Sequence, residues 1–401
     1  MNLNQAWPLL LALSCGYLLG CLSPAYFLAR WLKKVDIREM GTKNAGTVNT
    51  YHVLGLFPAV ITGLIDVSKG LIAMFIVSSI TGSSGFGLVA GAAAVVGHVF
   101  PFYLRWRGGQ GVATATGMML YFLGQFYLNR QLPALSLVFL FLAVLSFAWI
   151  SRQGEFVGLF ILPSLMFLVV IFLPLSVEQL FLLLIFAYIL SINILNIWKH
   201  RLWRLAELAR QEIIGWRIYL RPVALFLVWL LFNWRKKLFL TLVGSVTMFF
   251  LLPDLLRLAS TRVNQFFFFS LRRLYKEKEL RRFSSISLFL LAIFLTTSVF
   301  EKNIAAPALC FLITGDFFSK IYGLRFGRQP LFEKTVQGSL AHFNACLMAG
   351  YLIHPLINLS LPVLILGAAV ASVAEFLPLG VDDNLAVPLL SASTIYVTFL
   401  F

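Results

Sequence analysis

The sequence predicts an all-α polytopic membrane protein, a bundle of seven helices followed by a second bundle of about five or six transmembrane helices. Three observations carry that prediction. Hydrophobic residues make up 60% of the chain and charged residues 12%, with a mean hydropathy of +0.88, whereas a soluble domain carries roughly 25% charged residues. With so few charges, 401 residues cannot cover the surface of a soluble globule. The apolar residues also fall in runs near the roughly 20 residues needed to cross a bilayer. Finally, the basic residues cluster between those runs. The net charge of +16 therefore suits cytoplasmic loops facing anionic headgroups, and no nucleic-acid motif accompanies it.

The first part offers seven candidate spans at 9–31, 54–80, 86–104, 112–127, 135–150, 157–175 and 179–198. The opening "MNLNQAWPLL" has no positive n-region and its apolar stretch runs on towards Trp31, so it reads as a retained helix rather than a cleaved signal peptide. Alternate loops hold Lys33, Lys34, Arg38 and Lys43, then Arg105 and Arg107, then Arg152, then Lys199, Arg201 and Arg204. The opposite loops hold "TGSSG", Arg130 and "LSVEQ". The positive-inside rule puts the N-terminus outside and Lys199 inside.

Residues 199–221 alternate charged and aromatic residues with aliphatics, as in a helix lying on a membrane surface. With the short apolar run 222–232 they form a linker, 201–232, between domains at 1–200 and 233–401. Beyond it, 238–252 reads as a span and 257–282 as a strongly basic loop. Further spans are expected at 285–299, from 304–314 onward, and at 340–357, 361–377 and 385–401. The run before "WRKK" crosses or re-enters. The four cysteines, Cys15, Cys21, Cys310 and Cys346, lack metal-ligand spacing and do not read as a disulfide framework or zinc site.

Polar groups at a membrane edge are functional candidates, because leaving them in hydrocarbon is costly. "DIREMGTKNAGTVNTYH" supplies Asp36, Arg38, Thr42, Lys43, Asn44, Asn49 and His52 with Gly41 and Gly46. Small residues let backbone N–H groups converge on an anion that nearby cations compensate. In "GHVFPFYLRWRGGQGVAT", His98, Pro101, Arg105 and Arg107 precede Gly108, Gly109 and Gly111. A glycine turn opening a helix near Val112 suits a phosphate.

Taken with "DVSKG", these stretches resemble the acyl-phosphate-dependent glycerol-3-phosphate acyltransferases of the PlsY type across about residues 1–200. The resemblance implies acyl transfer from an acyl-phosphate to the 1-hydroxyl of glycerol 3-phosphate, giving lysophosphatidic acid. No Ser-His-Asp triad is implied, and the donor's phosphate accepts the hydroxyl proton. Arg38, Thr42, Asn44, Asn49, His98 and Asn196 carry over as catalytic residues. Gly41, Gly46, Lys69, Gly108, Gly109 and Gly111 carry over as substrate- or phosphate-binding residues, with Asp66, Gly70, Pro101 and Thr114 in the same motifs. Thr42 stands for the family's serine, His52 for an arginine, Gln110 for the "GGKG" lysine and Asn193 for a histidine.

The second half carries "ITGDFFSKIYGLRFGR", "EKTVQGSLAHF" and "AEFLPLGVDDNLAVPL". Carboxylates in so apolar a chain call for a partner, and Mg²⁺ is a natural one beside phosphate. These elements resemble the CTP-dependent lipid kinases that include dolichol kinase, phytol kinase and yeast-type diacylglycerol kinase, over about residues 233–401. The resemblance implies phosphoryl transfer from CTP to a lipid alcohol. Asp316, Asp382 and Asp383 would be catalytic and hold Mg²⁺. Arg325, Arg328, Lys334, Gly338 and Ser339 would bind substrate or phosphate, Glu375 and Asn384 belong to the last motif, and Asp254 with Arg257 matches a "D-x-x-R" element. The family's Arg-Lys element followed by histidine appears only as "RKKLFL".

The combined expectation is a bifunctional multi-pass enzyme of lipid biosynthesis in the cell membrane, with both sites at the cytoplasmic face. Its partners would be membrane lipids, acyl-phosphate, glycerol 3-phosphate and CTP, with no nucleic acid and no haem, flavin or zinc. One alternative is a single live half, the first being a drifted acyltransferase. A lipid transporter or scramblase is the non-enzyme alternative.

Overall fold

The computed structural model describes residues 3–202, 218, 220–270 and 277–400. The chain is a predominantly helical integral membrane protein. Among the described residues, eight helical segments are long and apolar enough to cross a bilayer: Ala6–Lys33, Leu56–Thr81, Ser84–Leu104, Gly154–Phe172, Val177–Lys199, Lys236–Ala259, Lys302–Phe326 and Asp383–Leu400. Shorter apolar helices cover Leu135–Ser151, Arg221–Asn233, Ser285–Val299 and Leu361–Phe376.

Two compact units are present. One comprises Met1–Ala134 with Gly158–Lys199, the other Leu135–Val157 with His200–Phe401. The first contains α1 (Leu3–Cys21), α2 (Pro24–Lys33), α3 (Thr47–Leu54), α4 (Leu56–Thr81), α5 (Ser84–Val99) and α6 (Val112–Leu128). The predicted span 9–31 is broken before Pro24, which cannot donate a helical hydrogen bond, and Ser23 leaves helical geometry there. Gly16 and Gly20 of α1 face Ala90 and Ala94 of α5 so closely that a Cβ at either glycine would strike the opposing backbone. Small residues facing each other in this way let two membrane helices approach without a hydrophobic driving force between them. The unit is completed by most of α8 (Gly154–Phe172) and by α9 (Val177–Lys199).

The sequence assigned α7 (Leu135–Ser151) to the first domain, but it packs in the second unit. There the Phe147 and Tyr322 rings lie 4.7 Å apart, Phe139 stacks on Tyr351 at 4.7 Å, and Asn344 Nδ2 donates to Ser146 Oγ at 2.9 Å. Tyr322 Oη also donates to the Phe156 carbonyl at 2.5 Å.

The second unit continues with α10 (Leu225–Asn233), α11 (Lys236–Ala259), α12 (Thr261–Ser270), α13 (Ser285–Val299) and α14 (Lys302–Cys310). A π-turn (Phe311–Gly315) leads into α15 (Asp316–Phe326). A short hairpin (β1 Pro330–Leu331, β2 Lys334–Thr335) precedes α16 (Val336–Ile353), α17 (Leu361–Phe376) and α18 (Asp383–Leu400). Its core joins Phe239, Val243, Ile293, Phe311, Leu364, Ala368 and Ile395 among others. The apolar run before "WRKK" forms a four-residue 3-10 turn and a nine-residue helix. At 1.5 Å per residue that is about 20 Å, short of a roughly 30 Å hydrocarbon core. The expected surface helix lies mostly outside the described residues.

The expected basic loop at 257–282 is corrected. Arg257 belongs to α11 and is 1% exposed, and α12 follows at once. The cause is Asp254 one turn earlier, whose Oδ1 accepts from Arg257 Nε at 2.6 Å. The same guanidinium donates to the Glu279 and Arg282 carbonyls at 2.7 and 2.6 Å, and Asp254 Oδ2 accepts from the Ser284 N–H at 2.8 Å. A charge placed in a basic run is thereby buried with each partner satisfied.

Candidate functional sites

In the first unit, Asp36 opens a 3-10 turn (Ile37–Glu39) and accepts from the Arg38 N–H at 3.0 Å. Arg38 Nε and Nη2 donate to the two Asp36 oxygens at 2.9 and 2.7 Å. Its Nη1 donates to the carbonyls of Leu104 and Arg107 at 2.7 and 3.1 Å. Arg38 thus ties the first loop to the segment entering the glycine turn. Its hydrogen bond to Asp36 outweighs burial and holds that carboxyl below its ordinary value.

Asn49, buried in the first turn of α3, organises the rest of the loop. Its Nδ2 donates to the carbonyls of Ile37, Met40 and Asn44 at 2.8, 3.0 and 2.9 Å. Its Oδ1 accepts from the Thr42 N–H at 2.8 Å. Gly41 adopts a left-handed φ of +54°, and a Cβ there would press on Asn49 Oδ1. Gly46 forms the N-cap of α3. Arg38 and Asn49 therefore hold the loop in shape, while Thr42 and Lys43 stay exposed.

Asp66 and Lys69 of α4 and His98 of α5 are 1%, 2% and 6% exposed. Lys69 Nζ meets Asp66 Oδ1 at 2.9 Å, the Leu22 carbonyl at 2.9 Å and His98 Nδ1 at 2.6 Å. Expected to bind phosphate, Lys69 has its ammonium spent on three protein partners.

The glycine turn is seated on the same histidine. The Gly108 and Gly109 N–H groups donate to the Val99 and His98 carbonyls at 3.0 and 3.1 Å. Gly109 is buried, and a Cβ there would collide with His98 Nε2 and the Ala45 carbonyl. The first loop and the glycine motif meet at this glycine, and the motif of Asp66 and Lys69 joins them only through the contact of Lys69 with His98 Nδ1. Gly111, with φ +68°, is the N-cap of α6 and brings that helix's N-terminus to the turn. Gln110 does not hang free in place of the family's lysine. Its Nε2 donates to Asn196 Oδ1 at 2.8 Å, Asn196 Nδ2 returns a bond at 3.3 Å, and Tyr188 Oη donates to the Gln110 carbonyl at 2.6 Å. Asn193 packs against Gly158, and His52 is exposed. Backbone N–H groups at a helix N-terminus beside a histidine nitrogen make a site for an anion.

In the second unit, Asp316 follows the π-turn, a local irregularity common at functional positions. Its Oδ2 pairs with Arg221 Nη1 at 2.5 Å and Lys320 Nζ at 2.8 Å. Arg221 Nη2 donates to Asn384 Oδ1 at 2.7 Å, and Asn384 Nδ2 to Asp382 Oδ1 at 2.6 Å. Lys334 Nζ pairs with Asp383 at 2.5 Å and Glu375 at 3.2 Å. Glu375 also accepts from Ser319 at 2.8 Å and Ser339 at 3.4 Å. Burial lowers the Lys334 ammonium, but Glu375 and Asp383 outweigh it and push its pKa up. Gly338 packs against Gly323, its N–H held by Thr335 at 3.2 Å.

Arg328 Nη2 donates to the Trp149 and Ile150 carbonyls at 3.2 and 2.8 Å, while Arg325 lies over Phe326. Asp316 and Asp383 are taken by protein cations and Asp382 by Asn384. Among the described residues no group of three His, Cys, Asp or Glu side chains is placed to hold a metal ion.

Sequence reasoning overlooked Tyr188, Ser319 and Arg221. Ser319 was findable, standing one turn after Asp316 on the same helix. Arg221 was hidden in a stretch read as membrane surface, and nothing local marks Tyr188.

The glycerol-3-phosphate acyltransferase family model matches residues 10–207. The glycerol-3-phosphate acyltransferase of Halalkalibacterium halodurans is 36% identical over 191 residues, 46% of this chain and 85% of that protein. One from a Synechococcus species is 38% identical over 158 residues, 39% of this chain and 75% of that protein. The crystal structure of PlsY, an integral membrane glycerol 3-phosphate acyltransferase, in its glycerol 3-phosphate form is 27% identical. It covers 47% of this chain and 90% of that one, with a TM-score of 0.37.

Proposed function

Because this chain belongs to the glycerol-3-phosphate acyltransferase family, we propose that its first unit acylates glycerol 3-phosphate, with an acyl-phosphate as donor. The observation that carries this reading is the meeting of the first loop, His98 and the N-terminus of α6 around Gly109, with Lys69 of the remaining motif held against His98. The substrate 1-hydroxyl oxygen attacks the acyl carbonyl carbon, the bond from that carbon to the phosphate oxygen breaks, and the departing phosphate takes the hydroxyl proton. The protein's part is to bring two phosphate-bearing molecules together and to stabilise charge, which suffices for large accelerations. Arg38, Thr42, Asn44, Asn49, His98, Asn196 and the glycines of both loops form this site, on the cytoplasmic face of the cell membrane with the N-terminus outside. Purified protein given acyl-phosphate and labelled glycerol 3-phosphate should yield labelled lysophosphatidic acid. No product across a range of acyl chain lengths would overturn the reading.

A second reading concerns the second unit: CTP-dependent phosphorylation of a lipid alcohol. What favours it is the convergence of Asp316, Lys320, Lys334, Glu375, Asp383 and Asn384, drawn from separate motifs, into linked ion pairs. Three of these groups, with Arg221, would have to exchange protein partners for phosphate oxygens as substrates enter. A CTP-dependent assay against diacylglycerol, a polyprenol and phytol tests it, and absence of lipid phosphorylation with all three counts against it.

A further inference from the structure

We propose that Lys69 is a positioning residue that locks His98 in the tautomer protonated on Nε2. His98 then presents a hydrogen-bond donor, not a base, to an anionic oxygen seated on the Gly108–Gly111 turn. An ammonium has three protons and no lone pair. Lys69 Nζ has three partners, the Leu22 carbonyl, Asp66 Oδ1 and His98 Nδ1. The carbonyl and the carboxylate only accept, so the third proton is directed at Nδ1, which must accept as well.

A rival arrangement would have a protonated Nδ1 donate to Asp66, but that separation is 3.4 Å against 2.6 Å to Lys69. Two protons cannot share the shorter gap. With Nδ1 an acceptor, the neutral ring carries its proton on Nε2. That nitrogen faces Gly109, where a Cβ would collide with it, and has no hydrogen-bond partner among the described residues. The side chain is 5% exposed. An N–H donor that no protein acceptor engages is open to hydrogen-bond a ligand oxygen.

The α6 N-terminus, at Gly111 two residues from Gly109, adds favourable potential for negative charge. Naming the ligand as a phosphate oxygen rests on the acyltransfer reading. The tautomer itself does not. It also removes His98 from the list of bases, which agrees with a reaction whose proton leaves on the donor's phosphate.

The test begins with unmodified full-length protein in lipid nanodiscs, its histidines labelled with ¹⁵N and His98 assigned by its loss in His98→Gln. The ring should show an unprotonated Nδ1 and a protonated Nε2, and inorganic phosphate or glycerol 3-phosphate should move the Nε2 proton resonance. A protonated Nδ1 overturns the proposal, as does an Nε2 proton indifferent to both anions. In Lys69→Met the tautomer preference should collapse, whereas a merely structural lysine would leave the ring spectrum unchanged.

Kinetics supply an independent arm. His98→Gln keeps an N–H donor without a usable base and should lose clearly less kcat/KM than His98→Met, for which a loss of about a hundredfold is expected, as for one donor at a developing anion. Equal losses in the two folded variants would show a base and sink the idea. If acyl transfer is undetectable in unmodified protein, the family-based reading has failed, and the spectrum still decides the tautomer.

Discussion

Asn49 and Gly109 show how little freedom single positions have in the first unit. Gly109→Ala puts a methyl group against His98 Nε2 and the Ala45 carbonyl, so we expect acyl transfer to fall about a hundredfold or more with the membrane bundle intact. Kinetics alongside a thermal melt would check this, and wild-type kcat/KM would contradict the geometry. Asp36 gives a pH prediction. Arg38 depresses its folded-state pKa, so its contribution to loop stability is full above the ordinary carboxylate value of about 4 and is lost as pH falls through the folded value. Amide exchange in the Ile37–Glu39 turn should accelerate on acidification below that range, and exchange that merely follows intrinsic chemistry would contradict the linkage. The motif containing Lys69 was legible in the sequence, but its role was not. A lysine beside glycines reads as an anion binder, and the carbonyl that captures it belongs to Leu22, in the break between α1 and α2.

Individual helices were largely legible because apolar runs of membrane length leave few alternatives. The observed α6, α7 and α9 begin and end within two residues of the runs at 112–127, 135–150 and 179–198. What a run cannot reveal is its packing partner. The α7 sequence is apolar on every side, so no stripe marks which bundle it joins. The end of α11 was misread for another reason, since Arg257 looks like one more loop cation until Asp254 is seen to neutralise it. Removing one member, as in Asp254→Asn or Arg257→Met, should destabilise the second unit by about 3–5 kcal/mol, whereas replacing both with apolar residues should cost less. Unfolding of the single and double variants in matched detergent would test this, and equal losses in all three would argue against a coupled pair.

At the scale of the whole molecule, the two sites are built from different residues and should fail separately. If the second unit phosphorylates a lipid alcohol as proposed, Asp316→Asn should abolish that activity and leave acyl transfer within about twofold of the unmodified enzyme. Paired assays on one preparation check it, and loss of both activities would mean that the units do not function independently.

The membership of α7 in the second unit has a consequence for the gene. The helix is encoded upstream of α8 and α9, within the 10–207 span of the family match. A clean end-to-end joining of two reading frames would leave each folded body with its own contiguous stretch of codons, and here the stretches interleave. A plasmid encoding only 200–401 would lack the helix bearing Ser146, Phe147 and Ile150, and its product should be degraded. A second plasmid encoding 135–157 with suitable flanks should rescue it by complementation.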